Sequence, residues 1–196
     1  MALLDWISDA GGPVVEGRGV ILRSPRSSDH EVWARLRQES HAYLQPWEPL
    51  WPEDDLTRAA YRRRLSIYQR ELEAGNAWPF FIFTDHGRTL VGAITLSNVR
   101  RGVAETGTLG YWIGQRFAGH GLATASVRAM IDFAFTELKL HRVEAACVPH
   151  NGASRRVLEK AGFELEGRAR AYLKINGAWA DHLLFGCVND GAGRAG

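Results

Sequence analysis

The chain has 196 residues with 24 basic and 22 acidic side chains, a formal net charge of +2, and is 45% hydrophobic, 10% aromatic and 23% charged. That composition excludes a disordered, collagen-like or membrane-spanning chain, and fits one soluble domain able to bury roughly 70% of the surface its unfolded form exposes. The near-neutral balance gives no support for specific nucleic-acid binding, and no stretch approaches the ~20 apolar residues of a spanning helix.

Residues 1–17 read as a loose leader around Gly11-Gly12-Pro13, followed by one domain over 18–188 and a small, polar, frayed tail at 189–196. The opening Met1-Ala2-Leu3-Leu4-Asp5-Trp6 has acid where a secretory signal needs base, so a cytoplasmic location is expected. Arg18–Arg23 predicts a short strand broken by Ser24-Pro25, and Ser28-Asp29 offers an N-cap for a helix through Gln38. An aromatic, proline-broken loop runs from Tyr43 to Pro52, and a second helix covers Leu56–Ala74, ending at Gly75-Asn76. Strands are expected at Trp78–Thr84, Leu90–Ser97 and Thr108–Ile113, the first two joined by the turn Asp85-His86-Gly87-Arg88. Leu122–Leu138 has helical period, with Val127, Met130, Ile131, Ala134 and Leu138 on one face. Next come strand His141–Val148, helix Asn151–Ala161 stopped by Gly162, and strands Phe163–Tyr172 and Trp179–Val188 around the turn Lys174-Ile175-Asn176-Gly177. The order β-α-α-β-β-β-α-β-α-β-β describes one α/β domain with a mixed sheet, with too little strand–helix alternation for a dinucleotide-binding fold.

Cys147 and Cys187 lie in strand-like runs without metal-ligand spacing and read as small buried apolar residues in a reducing compartment. The bases are almost all arginine, with lysine only at 139, 160 and 174, a bias that codon usage explains as readily as a phosphate-rich ligand does. The most informative stretch is Thr108–Thr124, where a strand enters a turn with glycines at 119 and 121 and a helix starts at once. Glycines there let the backbone approach a ligand and leave amides facing it, and the helix start adds unpaired donors and the positive end of its dipole. The spacing is neither the Walker pattern nor the dinucleotide fingerprint. By itself it is a phosphate cradle or a tight connection.

Arg116-Phe117-Ala118-Gly119-His120-Gly121 resembles the arginine-x-x-glycine-x-glycine motif of the GNAT superfamily of acetyl-CoA-dependent N-acetyltransferases. The runs His141–Ala145, Pro149–Ser154 and Leu158–Glu164 are similar to the rest of that family's core. Tyr43–Pro49, Glu166-Gly167 and Asn176–His182 are similar to its ribosomal-protein-alanine branch. The resemblance covers about residues 18–188 and implies the family fold, a mostly antiparallel seven-stranded sheet flanked by helices. It also implies acetyl-CoA as cosubstrate without a metal, its pyrophosphate on the amides from Arg116, Phe117, Ala118, Gly119, His120 and Gly121 to Leu122 and Ala123. The pantetheine arm would run beside Leu109–Ile113, including Tyr111, Trp112 and Ile113, with Asn151 and Ser154 near the thioester. Asn151 is also a good N-cap.

The family's chemistry, a direct attack by an amine, needs a base, an oxyanion donor and an acid for the thiolate. The resemblance points to the Leu109 backbone N–H for the oxyanion. Many relatives supply the acid from a tyrosine where this chain has Leu158, leaving Ser154 as the candidate. A glutamate common before the Gly-Tyr pair is Thr108 here, so Glu105, Glu144, Asp181 and His150 remain as titratable candidates for the base, each equally a surface group. Trp47, Trp51 and Tyr172 either wall a slot for an acceptor peptide or plug a hydrophobic gap. Arg62-Arg63-Arg64 reads as a solvated helix face or a dock for acidic protein or ribosomal RNA. The expectation is acetylation of a protein N-terminus, such as that of a ribosomal protein, by a monomer or homodimer. A small-amine acetyltransferase and a silent acyl-CoA-binding module are the alternatives.

Overall fold

A computed structural model describes residues 12–190. Its frame is one eight-stranded sheet, in the order β1 (Val14–Gly17), β2 (Val20–Arg23), β3 (Trp78–Thr84), β4 (Thr89–Arg100), β5 (Thr106–Ile113), β6 (Arg142–Cys147), β8 (Ala178–Val188), β7 (Glu164–Ile175). Every neighbouring pair is antiparallel except β5 and β6, which run parallel. The helices are α1 (His30–Glu39), the one-turn α2 (His41–Leu44), α3 (Arg58–Glu73), α4 (Leu122–Thr136) and α5 (Gly152–Lys160).

The expected α/β architecture is present, with one strand more than the seven expected. The extra strand is Val14–Gly17, from the segment read as a leader; it pairs with β2 through a turn in which Gly19 takes φ +74°. Two β-branched valines favour a strand there, but four residues are too few for alternation to stand out beside Gly11-Gly12-Pro13. The remainder of the proposed leader, residues 1–11, and residues 191–196 of the proposed tail lie outside the described residues. Asn189 still donates its amide to the His141 carbonyl at 2.8 Å.

The sheet separates two apolar layers. Alternation along β3 sends Phe80 and Ile82 to the face covered by α4 and α5, and Phe81 and Phe83 to the face covered by α1 and α3. On the first face Val127, Met130, Ile131, Ala134 and Leu138 are buried, as the helical period of α4 predicts. Leu158 from α5 is buried there too, as a core residue. On the second face Trp33, Leu36 and Tyr61 pack over Phe81, Phe83 and Leu90. Cys147 and Cys187 are thiols buried in the first layer. The Asn176-Gly177 turn has both residues at positive φ, +45° and +83°, which matches the twist of the β7–β8 hairpin.

Candidate active site

A parallel pair at the centre of an otherwise antiparallel sheet creates the opening on which the site is built. β5 pairs with β4 along its whole length to Ile113, but with β6 only from Thr106 to Leu109, the last register being Leu109 with Ala145. Beyond that point β5 continues to Ile113 while β6 turns through Pro149 into α5, so Gly110–Ile113 keep no strand partner on that side. Leu109 and Ile113 are buried toward α4 and α5, whereas Trp112 joins the layer beneath α1 and α3. Tyr111 reaches across the gap, its hydroxyl 2.9 Å from Ser154 Oγ and 3.3 Å from the Ser154 carbonyl in the first turn of α5. Asn151 caps that helix, its side-chain oxygen accepting the Ser154 amide at 3.0 Å. Burial pushes the Tyr111 phenol well above its ordinary range, with the bond to Ser154 opposing. Burial likewise raises the nearby Cys147 thiol, again opposed by Ser154. Tyr111 therefore stays a protonated donor at neutral pH.

The glycine turn lies where β5 ends. Gly114 has no room for a side chain, because a Cβ would run into Leu36 of α1. The Gln115 amide donates to Ser40 Oγ at 3.0 Å, so the end of α1 fixes where the turn begins. Gly119 and Gly121 have φ of +82° and +79°, and a Cβ on either would meet no atom within 4 Å. Both glycines are thus demanded by backbone conformation, not by packing, and both look onto open space. Gly121 is the N-cap of α4, and the Leu122, Ala123 and Thr124 amides precede the first intrahelical bond, from Ala125 to the Gly121 carbonyl. Arg116 forms an exposed pair with Glu39 at 3.3 Å and lies over the Phe117 ring. Such a pair is worth about 0.2–1 kcal/mol, little enough for an anion to displace. His120 Nδ1 is 3.3 Å from the Phe117 carbonyl.

The aromatic loop after α2 is organised by a buried ion pair that periodicity does not reveal. The Arg37 guanidinium, only 6% of whose residue surface is exposed, meets Glu48 in a two-pronged contact at 2.8 Å and 2.8 Å. It stacks on Trp51 at 3.9 Å and lies 4.8 Å from the Trp112 ring. Trp51 donates its indole N–H to Glu48 at 2.9 Å and packs edge-on against His41, so it holds the loop together. Trp47 instead lies against His150, ring centres 5.3 Å apart, joining the loop to the β6–α5 connection. The Asn176 amide donates to the Glu48 carbonyl at 2.8 Å, tying the β7–β8 turn to the same loop. Tyr172 is half exposed and stands edge-on to the buried His182 at 5.7 Å.

The fork and the glycine turn are contiguous along β5, and Asn151 and Ser154 reach them through Tyr111. Trp47, Trp51 and Tyr172 belong to the loop-and-hairpin side and do not form one cluster. Of the titratable groups left by the sequence, Glu105 is held by the Gly102 amide and Arg101, and Glu144 by Arg142 and Arg100. The Ala171 amide and Arg168 hold the Asp181 carboxyl below its usual range. His150 is exposed. In the arginine triplet, Arg63 pairs with Asp54 and Arg64 with Asp55, so two of the three charges are locally matched. Arg37, Ser40, Glu48 and His182 escape the sequence reading because their partners come from other elements. Among the described residues no group of three or more His, Cys, Asp and Glu side chains is placed to hold a metal ion, and no helix is long and apolar enough to cross a membrane.

Comparison with known proteins bears on this arrangement. Residues 20–164 match the acetyltransferase (GNAT) domain family. The chain is 37% identical over 176 residues to the probable N-acetyltransferase YjcK of Bacillus subtilis, covering 90% of this chain and 97% of that protein. It is 35% identical over 158 residues to the [ribosomal protein uS5]-alanine N-acetyltransferase of Escherichia coli, covering 80% and 81%. In structure it is similar to Mycobacterium smegmatis RimJ in complex with CoA-disulfide, with a TM-score of 0.86, 34% identity and coverage of 95% and 90%. The chain belongs to the GNAT family of N-acetyltransferases.

Proposed function

We propose that this chain transfers an acetyl group from acetyl-CoA to the α-amine at a protein N-terminus, with a ribosomal protein as the acceptor class. The observation that carries the reading is the parting of β5 and β6 after Leu109, beside a glycine turn that borders open space. The residues fit the cosubstrate. The amides from Gly119 to Ala123 suit a pyrophosphate, with Arg116 released from Glu39 to assist. The free edge of Gly110–Ile113 suits the amide groups of a pantetheine arm, as a strand edge suits any extended amide chain. The acceptor class is supported by the uS5-alanine specificity named for the Escherichia coli relative.

Two steps of the transfer are assigned to groups of this chain. The Leu109 N–H, at the apex of the fork, is assigned to the carbonyl oxygen as negative charge gathers on it. Ser154 gives its hydroxyl proton to the departing sulfur. With Tyr111 as the donor to Ser154 Oγ, the serine hydrogen is left to point at that sulfur, which makes Tyr111 a positioning residue that compensates for Leu158. The leaving thiol has a pKa of about 8.5, so its thiolate departs readily, and Ser154 takes its proton back from solvent. An α-amine with a pKa near 8 is roughly a tenth neutral at pH 7, whereas a lysine-type amine near 10.4 is under about 0.1% neutral. With its nearby carboxylates committed to partners, the site favours the α-amine.

Titration calorimetry with acetyl-CoA tests the cosubstrate half of this reading. The expected result is one site per chain, with affinity reduced at least tenfold by Gly121→Val. Absence of binding, or indifference to that substitution, contradicts it.

A further inference from the structure

The acetyl-transfer reading leaves the proton of the incoming ammonium without a named destination. Leu183, Phe185 and Cys187 of β8 pack into the α4–α5 layer, so alternation turns His182 and Leu184 to the opposite face of the sheet. Gly110 and Trp112 of β5 share that face, and a Cβ at Gly110 would meet nothing within 4 Å. Open space therefore lies over the fork on the side away from α4 and α5. The aromatic loop, through Glu48 and Asn176, and Tyr172, through its contact with His182, border the same side.

His182 is only 3% exposed, and its Nδ1 is 3.0 Å from the Ala180 carbonyl oxygen. A carbonyl can only accept, so in the neutral ring Nδ1 holds the hydrogen and Nε2 carries the lone pair. The ionisable groups around it are Tyr172 on β7 and Asp181 on its own strand, the latter turned to Arg168 and the Ala171 amide. On the loop, Glu48 is engaged by Arg37, and His150 beyond β6 rests on Trp47.

We propose that His182 Nε2 accepts the ammonium proton, directly or through one water, making His182 the base of the reaction. The nitrogen lone pair then forms the C–N bond, the C–S bond breaks with its electrons moving to sulfur, and sulfur takes a proton from Ser154, whose oxygen takes one back from water. The proton on His182 returns to solvent. This rests on the acetyl-transfer reading and adds its missing group.

His182→Asn keeps a donor for the Ala180 carbonyl and removes the Nε2 lone pair. With an N-terminal alanine peptide at pH 7, the expected loss in kcat is on the order of 100-fold or more, the range of general-base removal. The KM for acetyl-CoA is expected to stay within about twofold. The deficit should shrink as pH rises, because solvent then supplies the neutral amine. Should the asparagine variant melt well below the parent, His182→Gln carries the same comparison. Activity within about threefold of the parent, or a deficit equal at every pH, overturns the proposal. A parent protein inert toward every amine overturns the acetyl-transfer reading instead.

Discussion

At Gly119 and Gly121 the backbone, not the side chain, carries the requirement. Each holds a left-handed conformation with empty space above it, so alanine at 121 strains the chain by about 1–2 kcal/mol without a steric clash. A thermal melt should show Gly121→Ala lowered by a few degrees, at about 2–4 °C per kcal/mol for a chain of this size. Ser154→Ala is expected to cut kcat by about 10- to 100-fold with acetyl-CoA affinity intact, read by thiol release. Tyr111→Phe should cost less in kcat, and about 0.5–1.5 kcal/mol in stability for the lost hydrogen bond. The glycines were legible because a turn spacing is local, and Asn151 because a cap precedes its own helix. The Tyr111–Ser154 contact was not legible, since it joins residues 43 positions apart across a gap that only the finished sheet creates.

Among the elements, the loop between α2 and α3 departs most from a sequence-level reading. Its prolines and tryptophans suggest either a substrate wall or a plug, yet its organiser is Arg37 on α1, locked to Glu48 and stacked on Trp51. Glu48→Gln leaves a buried guanidinium without its counter-charge, and chemical denaturation should register a loss of about 3 kcal/mol. Replacing both partners, as in Arg37→Met with Glu48→Leu, should recover most of that loss, because two apolar side chains leave no charge to solvate. A double substitution as damaging as the single one would contradict this account. Periodicity found α4 because it buries one stripe against the sheet. It gives no signal for an ion pair 11 residues apart, or for the bond from Asn176 back to Glu48.

For the whole molecule, the sheet around the parallel contact between β5 and β6 has the glycine turn and α5 on one face, and the aromatic loop and His182 on the other. The far edge depends on charge. The Ala171 amide and Arg168 hold Asp181 below the usual carboxylate range, and Arg142 does the same for Glu166. A carboxyl with a lowered folded-state pKa adds stability above its unfolded value, and this is lost as pH falls through the folded one. Urea midpoints should therefore hold from pH 7 to about pH 5 and decline only on the acid side of the ordinary carboxylate pKa near 4. A decline beginning above pH 6 would assign the sensitive group elsewhere. The architecture was legible as an order of strands and helices, whereas the eighth strand and the two-sided site depend on tertiary pairing. The central claim is tested most directly by mass spectrometry of peptides and small amines incubated with the protein and acetyl-CoA. The account predicts acetylation at the α-amine of peptides beginning with alanine or serine and stoichiometric release of free thiol. Acetylation confined to lysine side chains or small amines, or no transfer at all, would contradict it.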